Sequence, residues 1–156
     1  MAKFFYKMQN ILDIKLKLET QARNEYAIAN ATLAEEEEKL SELERRRQGY
    51  EERLEELYSD RLDLKEINET AQAVEIIKYH KRLQEENVRL ARKKSEDARE
   101  KLKEAIKERK THEKLKENAF EEFRIEIAAA ESKEIDELVS YRHGQDDGSD
   151  PEYDNP

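Results

Sequence analysis

Between Met1 and His143 the chain contains one glycine, Gly49, and no proline; the other two glycines and both prolines fall in Gly144–Pro156. Sandwiches, barrels and α/β folds need a turn every few residues, and turns draw on glycine and proline. So long an interval with a single breaker excludes those classes and leaves long helix. The charge content agrees: 44 % of residues are Asp, Glu, Lys or Arg, against roughly 25 % in an ordinary soluble domain. So charged a chain has too little apolar matter for a broad core. Disorder is the competing reading of such a composition, and the regular apolar spacing argues against it.

From Phe5 a ladder of alternating 3 and 4 spacing runs through Met8, Leu12, Lys15, Glu19, Ala22, Tyr26, Ala29, Leu33, Glu36, Leu40, Leu43, Arg47, Tyr50, Leu54, Leu57 and Arg61 to Leu64. Thirteen of the eighteen positions are apolar, which reads as a coiled-coil seam. Near Lys15 and Glu19 the alternative stripe Ile11, Ile14, Leu18 and Ala22 suggests a local change of supercoil. A second, weaker ladder runs from Val74 through Ile77, Lys81, Gln84, Val88, Ala91, Ser95, Ala98, Leu102, Ala105, Arg109, His112, Lys116 and Ala119 to Phe123.

The expected fold is all-α: two long helices forming an antiparallel coiled-coil hairpin, with helix 1 at about 3–66, a turn at about 67–71 and helix 2 at about 72–142. Asn68 and Thr70 are the cap residues that suggest this turn; the alternative is an uninterrupted helix. Charge favours the hairpin. Residues 35–69 hold fourteen acidic and seven basic side chains, whereas 69–103 hold seven acidic and ten basic. A turn near residue 69 places Glu35–Glu38 opposite Lys101 and Lys103, while a parallel homodimer would set the acidic run against its own copy. Each exposed pair contributes only about 0–1 kcal/mol, but flanking charges choose orientation. Residues 144–156, with five acidic side chains and no basic one, read as a disordered tail.

Reactive chemistry finds little purchase. There is no cysteine, and three glycines make neither a P-loop nor a dinucleotide fingerprint. His80, His112 and His143 are too far apart to suggest a metal site, so no cofactor, metal or catalytic residue is expected. Residues 89–124 carry a net charge of +4, but Glu96, Asp97, Glu100, Glu104, Glu108 and Glu113 interrupt them, and nucleic acid is not an expected ligand. The N-terminus has neither a signal peptide's apolar core nor a membrane span, and the expected location is cytoplasmic. Lys3–Leu18 could lie on a membrane surface; packing of its apolar face on Phe120, Phe123 and Ile127 is the preferred reading.

The informative surplus follows the turn. Val74, Ile77, Val88 and Ala91 satisfy the seam, yet Ile76, Tyr79, Leu83 and Leu90 make a second stripe at spacings 3, 4 and 7, with Tyr58 and Leu62 similarly surplus on the first arm and expected to lie close by. One partner helix cannot cover both faces, so the stripe is a candidate docking surface.

The opening Lys3-Phe4-Phe5-Tyr6-Lys7-Met8-Gln9-Asn10-Ile11-Leu12-Asp13-Ile14-Lys15 resembles the start of the flagellar FliJ family. Tyr79–Leu83, Glu108–Glu117 and Glu131–Glu137 resemble its later segments in the same order, and the likeness spans residues 3–142. Ser132 stands where the family usually has Gln, and the acidic tail is not typical of it. The resemblance implies a non-enzymatic stalk of the bacterial flagellar type III export apparatus. Its implied partners are the export ATPase and its regulator, the membrane export gate and the export chaperones. It places the protein at the cytoplasmic face of the membrane near the basal body, bound there only through partners. On this sequence it assigns Tyr79, Leu83, Glu86 and Leu90 to the export gate. The end bearing Phe4, Phe5, Met8 and Phe123 packed, with Lys3 and Lys7 exposed, goes to the ATPase ring. A homodimeric coiled-coil spacer and a peripheral membrane-surface protein are the alternatives.

Overall fold

The computed structural model describes residues 2–146. Two helices carry nearly all of them, α1 (Gln9–Ser59) and α2 (Leu64–Asp146), and no strand occurs among the described residues. The fold is an all-α helical hairpin. Both ladders are the buried faces. From Leu12 to Leu57 every ladder position is buried or half-buried except Tyr50, and from Val74 to Phe123 every position is. Leu57, Ile67, Val74, Ile77 and Val88 are at most 7 % exposed, each contributing about 1.5–3 kcal/mol by its burial. Two helices make only a narrow seam, and among the described residues no large side chain is completely enclosed.

Near Lys15 the buried face follows the first ladder rather than the alternative stripe. Glu19 is buried in the seam, while Ile11, Ile14 and Leu18 are 39–55 % exposed. Lys15 reaches Glu108 at 3.3 Å and Glu19 accepts a bond from Arg23 at 2.9 Å. Long charged side chains cover the seam with their stems and find partners for their heads.

The turn lies at Asp60–Asp63, earlier than the expected 67–71. Ser59 closes α1 by donating its hydroxyl to the Glu56 carbonyl at 3.0 Å. Asp63 caps α2: its Oδ1 accepts the backbone N–H groups of Lys65 at 3.1 Å and Glu66 at 3.3 Å, two of the donors that a helix start leaves unpaired. Asn68 is an exposed helical residue, and Thr70 is buried in α2, donating to the Glu66 carbonyl at 2.8 Å. Ile67 and Thr70 extend the second ladder backwards with its own spacing, so residues expected in the turn are seam.

The earlier turn changes every pairing. Glu36, expected beside Leu102, receives the Gln84 amide on its carbonyl at 2.9 Å and on its carboxylate at 2.5 Å. Glu37 pairs with Arg92 at 3.3 Å and Glu44 with Lys81 at 2.6 Å, so the acidic run does not meet Lys101 and Lys103. The acidic-to-basic logic holds with different partners. Ser95 donates to Asn30 Oδ1 at 2.5 Å, and with Gln84 it forms polar layers that pin the register.

Residues 15–108 form one compact unit and residues 2–14 with 109–146 another. The hairpin turn and the pairings just described belong to the first. In the second, α1 begins at Gln9 rather than near residue 3, and residues 2–8 are a non-helical lead-in. Phe4 sits between Phe120 and Phe123, with ring centroids 5.2 and 5.4 Å away. Tyr6 is buried, whereas Phe5 is 81 % and Met8 39 % exposed, so neither Phe5 nor Met8 is the packed residue that was expected. Non-helical chain alternates its side chains between faces, which turns Phe4 and Tyr6 inward and Phe5 out. Gly144, Gln145 and Asp146, expected in the tail, belong to α2, where Gln145 donates to the Tyr141 hydroxyl one turn back at 3.0 Å. The rest of the expected disordered tail lies outside the described residues.

Candidate docking surface

Between residues 74 and 91, α2 divides its apolar side chains between two faces. Val74, Ile77, Val88 and Ala91 are buried in the seam, whereas Ile76, Tyr79, Leu83 and Leu90 are 45–57 % exposed. The spacing of Tyr79, Leu83, Glu86 and Leu90 is 4, 3, 4, which keeps them on one side of the helix. Glu86 lies inside this stripe and is held by the Arg89 guanidinium through two bonds, at 2.5 and 2.9 Å. Those bonds lower the Glu86 carboxyl from its ordinary value, so the stripe carries an ionised carboxylate, already paired with Arg89, among apolar side chains.

Beside the stripe a groove of about 700 Å³ runs between the helices. Leu83, His80, Gln84 and Asn87 line it from α2, and Glu38, Lys39, Glu42, Leu43 and Arg46 from α1. Arg45 bridges Glu38 at 2.9 Å and Glu42 at 2.6 Å, which ties two of the groove's carboxylates to one cation. Tyr79 stands edge-on to His80 with centroids 5.7 Å apart. Leu83 therefore belongs to the stripe and to the groove. Sequence reasoning missed the α1 wall because a turn near 69 sets Leu83 against Glu55, whereas the observed turn sets it by Leu43.

Tyr58 and Leu62 do not join this surface. They are 62 % and 64 % exposed at the turn, while Ile76 and Tyr79 lie roughly 18–22 Å up α2 from its first residue at about 1.5 Å per residue. Their expected closeness to the stripe also depended on the later turn.

In the other unit, Lys3, Phe5, Lys7 and Met8 are exposed, and Phe4 and Phe123 are half-buried against one another. A shallow cleft of about 370 Å³ is lined by Phe4–Met8 together with Ala119, Glu122, Phe123 and Glu126. Sequence reasoning overlooked Tyr6; the available signal was the alternation within Phe4-Phe5-Tyr6.

Two seam carboxyls are also tuned. Glu36 is lowered chiefly by the hydrogen bond from Gln84 and then by Lys39, and Glu44 chiefly by Lys81 and then by Arg47. Among the described residues no group of three or more His, Asp or Glu is placed to hold a metal ion, and no helix is long and apolar enough to cross a membrane.

The described residues are thus paired helices with an exposed apolar stripe, a groove beside it and an aromatic-rich end. The family is equally plain: residues 4–148 match the model of the flagellar FliJ protein, and the chain belongs to the FliJ family, whose members are non-enzymatic components associated with type III export. A solved structure described as a YscO homologue from Chlamydia trachomatis shares the fold, with a TM-score of 0.68 and 23 % identity over 95 % of this chain and 100 % of that one. No curated protein matches the chain.

Proposed function

We propose that this chain is a stalk and adaptor of the flagellar type III export apparatus, linking the export ATPase ring to the membrane export gate and escorting export chaperones. The observation that carries the reading is the exposed stripe of Tyr79, Leu83, Glu86 and Leu90 on an otherwise highly charged coiled coil of the FliJ family. Three half-exposed apolar side chains around an anchored carboxylate suit an extended or helical segment that brings apolar side chains and one cationic or N–H donor group. Ile76 adds to that surface, and Tyr58 and Leu62 offer a separate contact at the turn.

The end bearing Lys3, Phe5, Lys7 and Met8 enters the ATPase ring, with Phe4 and Phe123 as the packed support beneath it. The ATPase regulator and the chaperones are further partners. In this role the protein works at the cytoplasmic face of the cell membrane near the flagellar basal body, held there through partners, and supports motility and chemotaxis by assembling the flagellum. Binding to the purified cognate export gate tests the stripe. The double substitution Tyr79→Ala/Leu83→Ala should weaken binding by about a hundredfold, as expected for two anchor side chains. Unchanged affinity for a variant of native helicity would remove the stripe from this role.

A further inference from the structure

Every described side chain from Ala128 to Gln145 is exposed, although this stretch of α2 is helical throughout. It is not simply a polar helix end. Ile135, Leu138, Val139 and Tyr141 are 60, 63, 49 and 65 % exposed. Ile135, Leu138, Val139 and Arg142 occupy positions i, i+3, i+4 and i+7, one face of the helix. A face of this kind, with nothing over it among the described residues, is half of a helix–helix seam.

We infer that this face pairs with its own copy, antiparallel and centred on Leu138. The charges choose both partner and direction. Glu134 lies one turn before Leu138 and Arg142 one turn after it, on opposite flanks. A two-fold axis through Leu138 therefore sets each Glu134 beside Arg142 of the second copy, twice over, and Ile135 beside Tyr141. A parallel arrangement instead sets Glu134 against Glu134 and Arg142 against Arg142. A self-complementary patch of this kind is what an isologous dimer requires. A few partly exposed apolar side chains fall short of the roughly 1,200 Å² total of a stable interface. The association is therefore weak and concentration-dependent.

Sedimentation velocity of the full chain tests this from micromolar to submillimolar concentration. The mass should rise from 18.6 kDa toward twice that value. Leu138→Asp should keep the chain monomeric at native helicity. Glu134→Arg and Arg142→Glu should each weaken self-association by about tenfold, and an equal mixture of the two variants should restore it, because the mixed pair regains both ion pairs. A chain monomeric at every concentration overturns the inference. So does a dimer indifferent to Leu138→Asp, and so does a mixture that fails to recover.

Discussion

The position of the turn decides which residues face which across the hairpin, and Asp63 is the side chain on which it rests. Its Oδ1 accepts two backbone N–H groups of the first turn of α2, from Lys65 at 3.1 Å and Glu66 at 3.3 Å. Replacing such a cap by Ala costs about 1 kcal/mol, within a range of 0.5–2. Loss of the carboxylate charge at a helix N-terminus adds about 0.3–1 kcal/mol. Asp63→Ala should therefore destabilise the hairpin by about 1–2 kcal/mol, and Asp63→Asn, which keeps the acceptor but not the charge, by less than about 1 kcal/mol. Asn68→Ala should change stability by no more than about 0.5 kcal/mol, since Asn68 is an exposed helical residue. Urea unfolding followed by far-ultraviolet circular dichroism gives all three values. A loss confined to Asn68→Ala, with Asp63→Ala neutral, would refute the observed turn and the register built on it.

Other substitutions separate the two faces and the two ends. Ile77→Ala should cost about 2–5 kcal/mol in urea unfolding, because Ile77 is 4 % exposed, while its neighbour Ile76→Ala should stay within about 0.5 kcal/mol. Phe4→Ala should lower the thermal midpoint, since it removes ring contacts to Phe120 and Phe123, whereas Phe5→Ala should leave the midpoint unchanged. The Glu36 and Glu44 carboxyls bind protons less readily folded than unfolded, so their stabilisation is complete above the ordinary value of 4.5 and is lost as pH falls toward the lowered folded values. The urea midpoint should therefore drop below about pH 4.5, and less steeply in Gln84→Leu and Lys81→Met than in the parent chain; equal slopes would contradict this assignment.

The long helices and their buried faces were legible in the sequence because spacing alone carries them. Leu12 through Leu57 and Val74 through Phe123 are the seams that the 3–4 alternation marks. The turn was not read correctly, for a physical reason. The first ladder continues in register to Leu64, which hides the cap at Asp63, and Asp63-Leu64-Lys65-Glu66 has the spacing of a helix start. Ile67 and Thr70 carried the complementary signal, since they extend the second ladder past the supposed loop. The stripe at Ile76, Tyr79, Leu83 and Leu90 was legible because it needs only the local period of α2. The groove beside it was not, because its α1 wall depends on the register. Phe5 was misplaced because helical spacing was applied to residues that do not form helix.

The most direct test of the stalk reading is ATP turnover by the cognate export ATPase, titrated with this protein and with the Tyr79→Ala/Leu83→Ala variant. The account predicts that turnover rises with both, because it assigns the ring contact to the end bearing Lys3, Phe5, Lys7 and Met8 rather than to the stripe. Flat turnover with an active, assembled ATPase ring would contradict the stalk role.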